Sequence, residues 1–195
     1  MLDKLLQGVE VRSLVGDGTV AVGRLEFDSR KVVPGTLFFA TRGTQADGHA
    51  YIPAAAAAGA AAVVCEELPA ERPAGVTFVQ VPDSTVALGQ VASAFYGHPS
   101  RRLKLVGVTG TNGKTTTATL LYRMFRRLGY KAGLISTVVY CVDDREIPST
   151  HTTPDSIRLN AMMAEMVEAG CDYCFMEVSS HSLVQHRTAG LAFVG

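Results

Sequence analysis

Residues 103–128 read LKLVGVTGTNGKTTTATLLYRMFRRL, and the fold turns on how that stretch is parsed. Leu103 to Val108 is a compact apolar run suited to a buried strand, and Thr109 to Gly113 is a turn of small residues. From Lys114 the pattern becomes helical: Leu120, Leu121, Met124, Phe125 and Leu128 share one face, while Arg123, Arg126 and Arg127 turn away from it. Gly129 ends the helix. In a strand, glycine turn and helix of this kind the turn's backbone N–H groups point inward, and the helix N-terminus adds positive potential. The pattern therefore predicts a phosphate cradle, with Lys114 reaching the β- and γ-phosphates and the Thr115 hydroxyl placed to ligate Mg²⁺. The strict phosphate-loop pattern wants glycine where Val108 stands; Gly107 is one place early, and Gly110 supplies a glycine inside the loop instead.

Downstream, Ala132 to Val139 reads as another strand, and Thr153-Pro154 as the start of a second helix. That helix carries Leu159, Met162, Met163, Met166 and Val167 at i, i+3, i+4, i+7, i+8, a stripe read as core packing. Gly170 closes it, and Tyr173 to Val178 returns as a strand ending near Glu177. An acid at the end of a strand in the same sheet as the phosphate loop is a candidate metal ligand. Strands alternating with helices predict a parallel sheet covered on both sides. Leu191 to Gly195 reads as the opening of a further strand, so the sheet is expected to be incomplete.

Upstream, short apolar runs at Leu25 to Phe27 and Thr36 to Ala40 flank Pro34-Gly35. A helix is predicted from Pro53 through Ala54 to Ala62, then strands at Val63 to Cys65 and Phe78 to Val81, then a helix capped by Asp83 or Ser84 and running through Tyr96. Gly97 to Arg102 is polar and turn-rich, suited to a linker. The expected class is α/β: a small mixed α/β domain over 1–98, then part of a phosphate-loop, parallel-sheet, ATP-binding domain over 99–195.

Composition narrows the choice. Of 195 residues 47% are hydrophobic and 18% charged, which is globular, and 18 basic against 18 acidic side chains leave no field for nucleic acid. No run is long and apolar enough to span a bilayer, and Met1 to Ser13 lacks the core of a signal peptide. A cytoplasmic monomer with no membrane or nucleic-acid partner is the expectation. Cys171 and Cys174 form a C-x-x-C, but only six residues separate Cys174 from His181, where a zinc finger wants about 12. Cys65, Cys141, Cys171 and Cys174 are read as small thiols, the C-x-x-C pair in a buried strand.

A phosphate loop alone could serve a kinase, a GTPase or a motor. The surrounding blocks are more specific. Gly107 to Thr116, Asp28-Ser29-Arg30, Val33-Pro34-Gly35, Asp47-Gly48-His49, His151-Thr152-Thr153-Pro154 and Glu177 to Arg187 together resemble the Mur ligases, ATP-dependent amide-forming enzymes of peptidoglycan precursor synthesis. The last two blocks resemble the branch that adds the third residue of the peptide.

The resemblance implies roles position by position. Phe27, Ser29, Thr44, Gln45 and Ala46 would meet the UDP end of the substrate, UDP-N-acetylmuramoyl-L-alanyl-D-glutamate. Thr152, Thr153, Ser179, Gln185 and Arg187 would hold the rest of it. Gly110, Thr111, Asn112, Gly113, Lys114, Thr115 and Thr116 would bind ATP; Thr115 and Glu177 would ligate Mg²⁺, and Lys114 with Glu177 would be catalytic. Ser29 and Thr44 have turn residues as their rival reading, Thr153 a helix cap, Arg187 a solvated charge; His181 and His186 are read as structural. The implied reaction joins a diamino acid, meso-2,6-diaminopimelate or alternatively L-lysine, through an acyl phosphate. Family members continue into a modified lysine and a third domain, so the chain is expected to be a piece that cannot complete ligation alone. A folate or cyanophycin relative, or a module that binds UDP-muramoyl peptide without chemistry, remains the rival reading.

Overall fold

The computed structural model describes residues 1–43, 46–149 and 152–195. The chain forms two compact units, Met1–Val91 and Ala92–Gly195. Thr44, Gln45 and His151, named above, lie outside the described residues.

In the first unit the elements are α1 (Leu2–Leu5), β1 (Ser13–Val15), β2 (Arg24–Glu26), β3 (Thr36–Phe39), α2 (Ile52–Ala57), β4 (Ala62–Cys65) and β5 (Thr77–Gln80), with α3 (Ser84–Phe95) following. The sheet order is β1-β5-β4-β3-β2; β2 to β5 run parallel and β1 antiparallel to β5. Every residue of β3 and β4 is buried, as a strand covered on both faces requires. Phe38, Ile52, Ala55, Val63 and Phe78 pack into one cluster. The alanine-rich helix is shorter than expected. It stops at Ala57 because Gly59 adopts φ +93, and Ala62 is already strand. The cap on α3 is as read: Asp83 accepts from the N–H groups of Thr85 and Val86, both at 2.8 Å.

The second unit holds β6 (Lys104–Val108), α4 (Lys114–Arg127), β7 (Ala132–Ile135), β8 (Val139–Val142), β9 (Arg145–Pro148), α5 (Ser156–Glu168), β10 (Tyr173–Glu177) and α6 (Ser180–Val184). Its order is β6-β10-β7-β8-β9, with β6, β10 and β7 parallel and the β8–β9 hairpin antiparallel. The single strand expected over 132–139 is thus two. The chain reverses at Ser136 to Val138, where the Ser136 hydroxyl donates to the Val139 carbonyl at 2.8 Å and Oγ accepts back from the Val138 and Val139 N–H groups. Both sheets are mixed rather than wholly parallel.

Two amphipathic helices cover this sheet. Leu159, Met162, Met163 and Met166 of α5 bury against Leu105, Ile135, Tyr140, Cys174 and Met176, so the methionine stripe is core as read. The helix begins at Ser156, not at Thr153-Pro154, because the Asp155 carboxylate accepts the Arg158 N–H at 2.9 Å and caps it. On the other face Ala118, Leu121, Tyr122 and Phe125 of α4 meet Val106, Val108, Leu134 and Phe175. Leu120, Met124 and Leu128, assigned above to that buried face, are instead 60%, 47% and 65% exposed. The apolar positions form two adjacent stripes, and only the one centred on the small Ala118 reaches the sheet. Arg126, read as turned away, is half-buried against Asp143 at 3.1 Å and Asp144 at 2.5 Å. All four cysteines are free and buried. Leu191 to Gly195 is not a regular strand, yet Val194 donates to the Leu105 carbonyl and Gly195 accepts from Gly107, both at 2.9 Å.

Candidate functional site

Register brings the site together. β6 and β10 pair so that Val108 lies opposite Glu177, and the phosphate-loop turn leaves β6 at that point. Gly113 takes φ +80 at the cap of α4, a left-handed conformation that a side chain would oppose, and so lets the turn feed directly into the helix. Gly110 to Gly113 are exposed and Lys114 and Thr115 half-buried, which leaves the turn open to a ligand. The Lys114 ammonium donates to the Gly110 carbonyl at 2.7 Å. That bond uses one of its three protons and leaves two for an anion seated in the turn.

The Thr115 hydroxyl donates to Glu177 Oε2 at 3.0 Å. Glu177 is only 1% exposed, so its carboxylate must be satisfied by the protein. Thr137 does most of that: its N–H donates to Oε1 at 2.8 Å and its hydroxyl lies 3.3 Å from Oε2. Thr137 sits just past the carboxyl end of β7, and sequence reasoning missed it because 132–139 was read as one strand. The signal that could have found it is Ser136-Thr137, small hydroxyl residues where a parallel strand ends.

Three other expected residues join this cluster. The Thr152 and Thr137 hydroxyls are 3.1 Å apart. The buried Thr153 hydroxyl donates to the Glu177 carbonyl at 2.9 Å and caps no helix. Arg187 Nη1 donates to the Thr153 carbonyl at 2.7 Å, so its guanidinium is anchored rather than merely solvated. Ser179 accepts the Ser182 N–H at 3.1 Å and caps α6. Gln185 lies at the end of α6, its N–H on the His181 carbonyl at 2.9 Å. His181 and His186 expose their rings, and His186 takes φ +51 in the turn after α6, so neither packs in the core.

One buried carboxylate and the Thr115 and Thr137 hydroxyls form an all-oxygen set beside an exposed turn of small residues. That suits Mg²⁺, a hard cation that takes one or two carboxylates, keeps waters and shares phosphate oxygens. Among the described residues no group of three His, Cys, Asp or Glu side chains could hold a metal by itself.

In the first unit Phe27 is 40% exposed just beyond β2. Ser29 opens a single 3-10 turn capped by Asp28, whose carboxylate accepts from the Arg30 N–H. The Arg30 guanidinium, above all, holds the Asp28 carboxyl down at about 2. Ala46 is exposed, and its carbonyl accepts the Gly43 N–H at 2.9 Å. Phe27, Ser29 and Ala46 thus follow the carboxyl ends of the neighbouring parallel strands β2 and β3, where ligands of α/β sheets bind.

Two family models match the chain in succession: "Mur ligase family, catalytic domain" over residues 22–96 and "Mur ligase middle domain" over 108–194. The chain belongs to the Mur ligase family. Within it, the chain is 54% identical over 195 residues to a UDP-N-acetylmuramoyl-L-alanyl-D-glutamate--2,6-diaminopimelate ligase of Bacteroides thetaiotaomicron, covering all of this chain and 40% of that protein. A ligase of the same name from Cytophaga hutchinsonii is 57% identical over 192 residues, covering 98% of this chain and 40% of the relative. The chain therefore spans about two fifths of the length of the curated relatives it matches. A solved structure of a ligase of that name superposes with a TM-score of 0.80 at 24% identity, over 99% of this chain and 39% of the other. MurF from Acinetobacter baumannii superposes at 0.64 and 21% identity, over 92% and 36%. At those identities the likeness speaks for the fold. Among the described residues no helix is long and apolar enough to cross a membrane.

Proposed function

We propose that the chain supplies the nucleotide-sugar-binding and ATP-binding parts, over 1–98 and 99–195, of a cytoplasmic ligase. The reaction joins a diamino acid to UDP-N-acetylmuramoyl-L-alanyl-D-glutamate at the expense of ATP. The observation that carries this reading is the Thr115 hydroxyl on the buried Glu177 carboxylate, 3.0 Å apart at the start of α4. Relatives more than half identical carry 2,6-diaminopimelate in their names, which favours it over L-lysine as the amine.

The chemistry is an acyl activation. A D-glutamyl carboxylate oxygen attacks the γ-phosphorus, the bond from that phosphorus to the β–γ bridging oxygen breaks, and ADP leaves. The diamino acid's nitrogen then attacks the acyl carbon and gives up a proton as the C–O bond to phosphate breaks. Gly110 to Thr116 would hold the triphosphate through backbone N–H groups and the helix N-terminus. Lys114 would turn its two remaining donors to the transferring phosphoryl group and neutralise charge as it develops. Thr115 and Glu177 would hold Mg²⁺, which when bound offsets the negative charge of the phosphates. Thr137 keeps the Glu177 carboxylate in place from the far side. Thr152, Thr153, Ser179, Gln185 and Arg187 would orient the muramoyl-peptide, Arg187 through guanidinium donors not used on Thr153. Phe27, Ser29, Thr44, Gln45 and Ala46 would take the UDP end.

Calorimetric titration of the chain with Mg-ATP and, separately, with UDP-N-acetylmuramoyl-L-alanyl-D-glutamate tests the reading. Both should bind, Thr115→Val should weaken only the first, and Ser29→Ala only the second. Binding of neither ligand by the folded chain would overturn it.

A further inference from the structure

Between β3 and α2 the chain makes a loop whose stem is held by contacts that the reading above does not use. Arg42 and Asp47 face each other as an isolated antiparallel bridge, and the Gly48 N–H donates to the Thr41 carbonyl at 2.8 Å. Gly48 has no room for a side chain: a Cβ there would lie 2.7 Å from both the N and the O of Thr41. The side-chain contacts centre on His49. Its Nδ1 lies 2.6 Å from Asp47 Oδ1, and its Nε2 accepts from the N–H of Glu66, just past β4, at 2.9 Å. A backbone N–H can only donate, so Nε2 must carry its lone pair. The proton is therefore on Nδ1 and is given to Asp47. The His49 N–H reaches the same carboxylate oxygen at 2.9 Å, and these bonds hold the Asp47 carboxyl below its ordinary range. Arg42 closes the frame on Asp47 at 3.6 Å, Glu66 at 3.3 Å and Glu67 at 2.5 Å. Glu66 in turn accepts from the Ser84 N–H at 3.0 Å and hydroxyl at 2.9 Å, which ties the frame to the start of α3.

This frame fixes the stem that leads to Ala46, whose carbonyl accepts the Gly43 N–H at 2.9 Å. It does so at the carboxyl ends of β3 and β4. We infer that His49 is a positioning residue for the nucleoside diphosphate of the substrate, its ring clamping the stem made by Thr41, Arg42, Asp47 and Gly48 to the end of β4. The inference rests on the nucleotide-sugar reading of the first unit. It adds to that reading a residue which meets no substrate and acts only through the loop.

Two substitutions separate the ring's two bonds. In His49→Asn the amide nitrogen can replace Nδ1 toward Asp47, but nothing reaches Glu66. In His49→Gln the longer side chain places a carbonyl near the Nε2 position and restores the acceptor. Calorimetry with UDP as the probe, on chains checked by thermal melts, should show His49→Asn weakened about tenfold and His49→Gln within about threefold of the unsubstituted chain, the scale of one hydrogen bond. In the unsubstituted chain, ring ¹⁵N shifts should report the neutral Nδ1–H tautomer. Equal UDP affinity in all three chains, or equal loss in both variants, would overturn the clamp while leaving the nucleotide site standing. If the unsubstituted chain binds neither UDP nor UDP-N-acetylmuramoyl-L-alanyl-D-glutamate, the nucleotide-sugar reading fails and the inference with it. Should His49→Asn not fold, His49→Gln and the tautomer decide: an Nε2–H ring, or a Gln variant weakened tenfold, refutes the clamp.

Discussion

Replacing Glu177 by Gln or Ala separates what its charge does for the fold from what it does for a ligand. The side chain is 1% exposed and meets Thr115 Oγ1 at 3.0 Å, the Thr137 N–H at 2.8 Å and Thr137 Oγ1 at 3.3 Å. Hydrogen bonds to a charged group contribute about 1.5–3 kcal/mol each, but burying an unpaired carboxylate costs several kcal/mol, so the two largely cancel. Glu177→Gln keeps an acceptor for the Thr137 N–H, and both hydroxyls can rotate to receive its amide protons. It should shift stability by no more than about 1 kcal/mol, or about 4–8 °C in the melting of a unit of this size. Glu177→Ala removes every acceptor and one buried methylene. Unmade bonds at about 1–3 kcal/mol and the methylene at about 0.8 kcal/mol, less the relieved desolvation, give a net loss of about 1–3 kcal/mol. Ligand binding should respond differently. Gln offers a neutral oxygen where the carboxylate would hold Mg²⁺, so Mg-ATP affinity should fall about 100-fold, or about 2.7 kcal/mol. The assay is calorimetry with ATP in magnesium and in chelator, beside thermal melts of each variant. A Glu177→Gln chain that melts normally and still binds ATP with full magnesium dependence would refute the reasoning.

The remaining predictions are simpler to stage. At Gly133 a Cβ would fall 2.3 Å from Met166 Sδ and 3.0 Å from its Cγ, so Gly133→Ala should lower stability by about 1–3 kcal/mol, read as a lower denaturation midpoint. Thr137→Ala removes the hydroxyl contact to Glu177 but keeps its N–H; Mg-ATP affinity should fall less than tenfold, roughly half of the Glu177→Gln loss in free energy. Burial pushes the Cys65 thiol up to about 11, and the other three thiols also rise, so at pH 8 only about one Cys65 in 1,000 is thiolate and labelling by a disulfide reagent should be slow until the chain is denatured. Because the folded Asp28 carboxyl is lowered to about 2, its stabilising contribution is complete above the ordinary carboxylate range, near pH 4 and higher, and is lost as pH falls toward 2; the NMR titration of Asp28 should show that low midpoint, and Arg30→Ala should raise it.

Much of the site was legible because its parts are local. A turn between a strand and a helix is made by consecutive residues, so Gly110 to Thr116 announces itself in one dimension, as do the α3 cap at Asp83 and the methionine stripe of α5. The resemblance supplied the distant partners, and the fold sets the Thr115 hydroxyl on the Glu177 carboxylate at 3.0 Å. What sequence reasoning missed depends on strand neighbours. Pairing of β10 with both β6 and β7 gives the Glu177 carboxylate two flanks, one held by Thr115 and the other by Thr137. The reversal at Ser136 to Val138 could not be read from apolar runs, because Val138 and Val139 continue the pattern while the backbone turns.

By itself the sequence determined the glycine turn between β6 and α4, the α/β alternation and the family, since these depend on residue types at fixed short spacings. Only the tertiary structure decided which of two apolar stripes of α4 meets the sheet, because periodicity gives a helix its faces but not the neighbour that covers them. It alone also decided that Glu177 is buried and triply bonded and that the His49 ring stands between Asp47 and the Glu66 N–H. Both depend on donors 17 to 62 residues away, whose arrival is set by strand register.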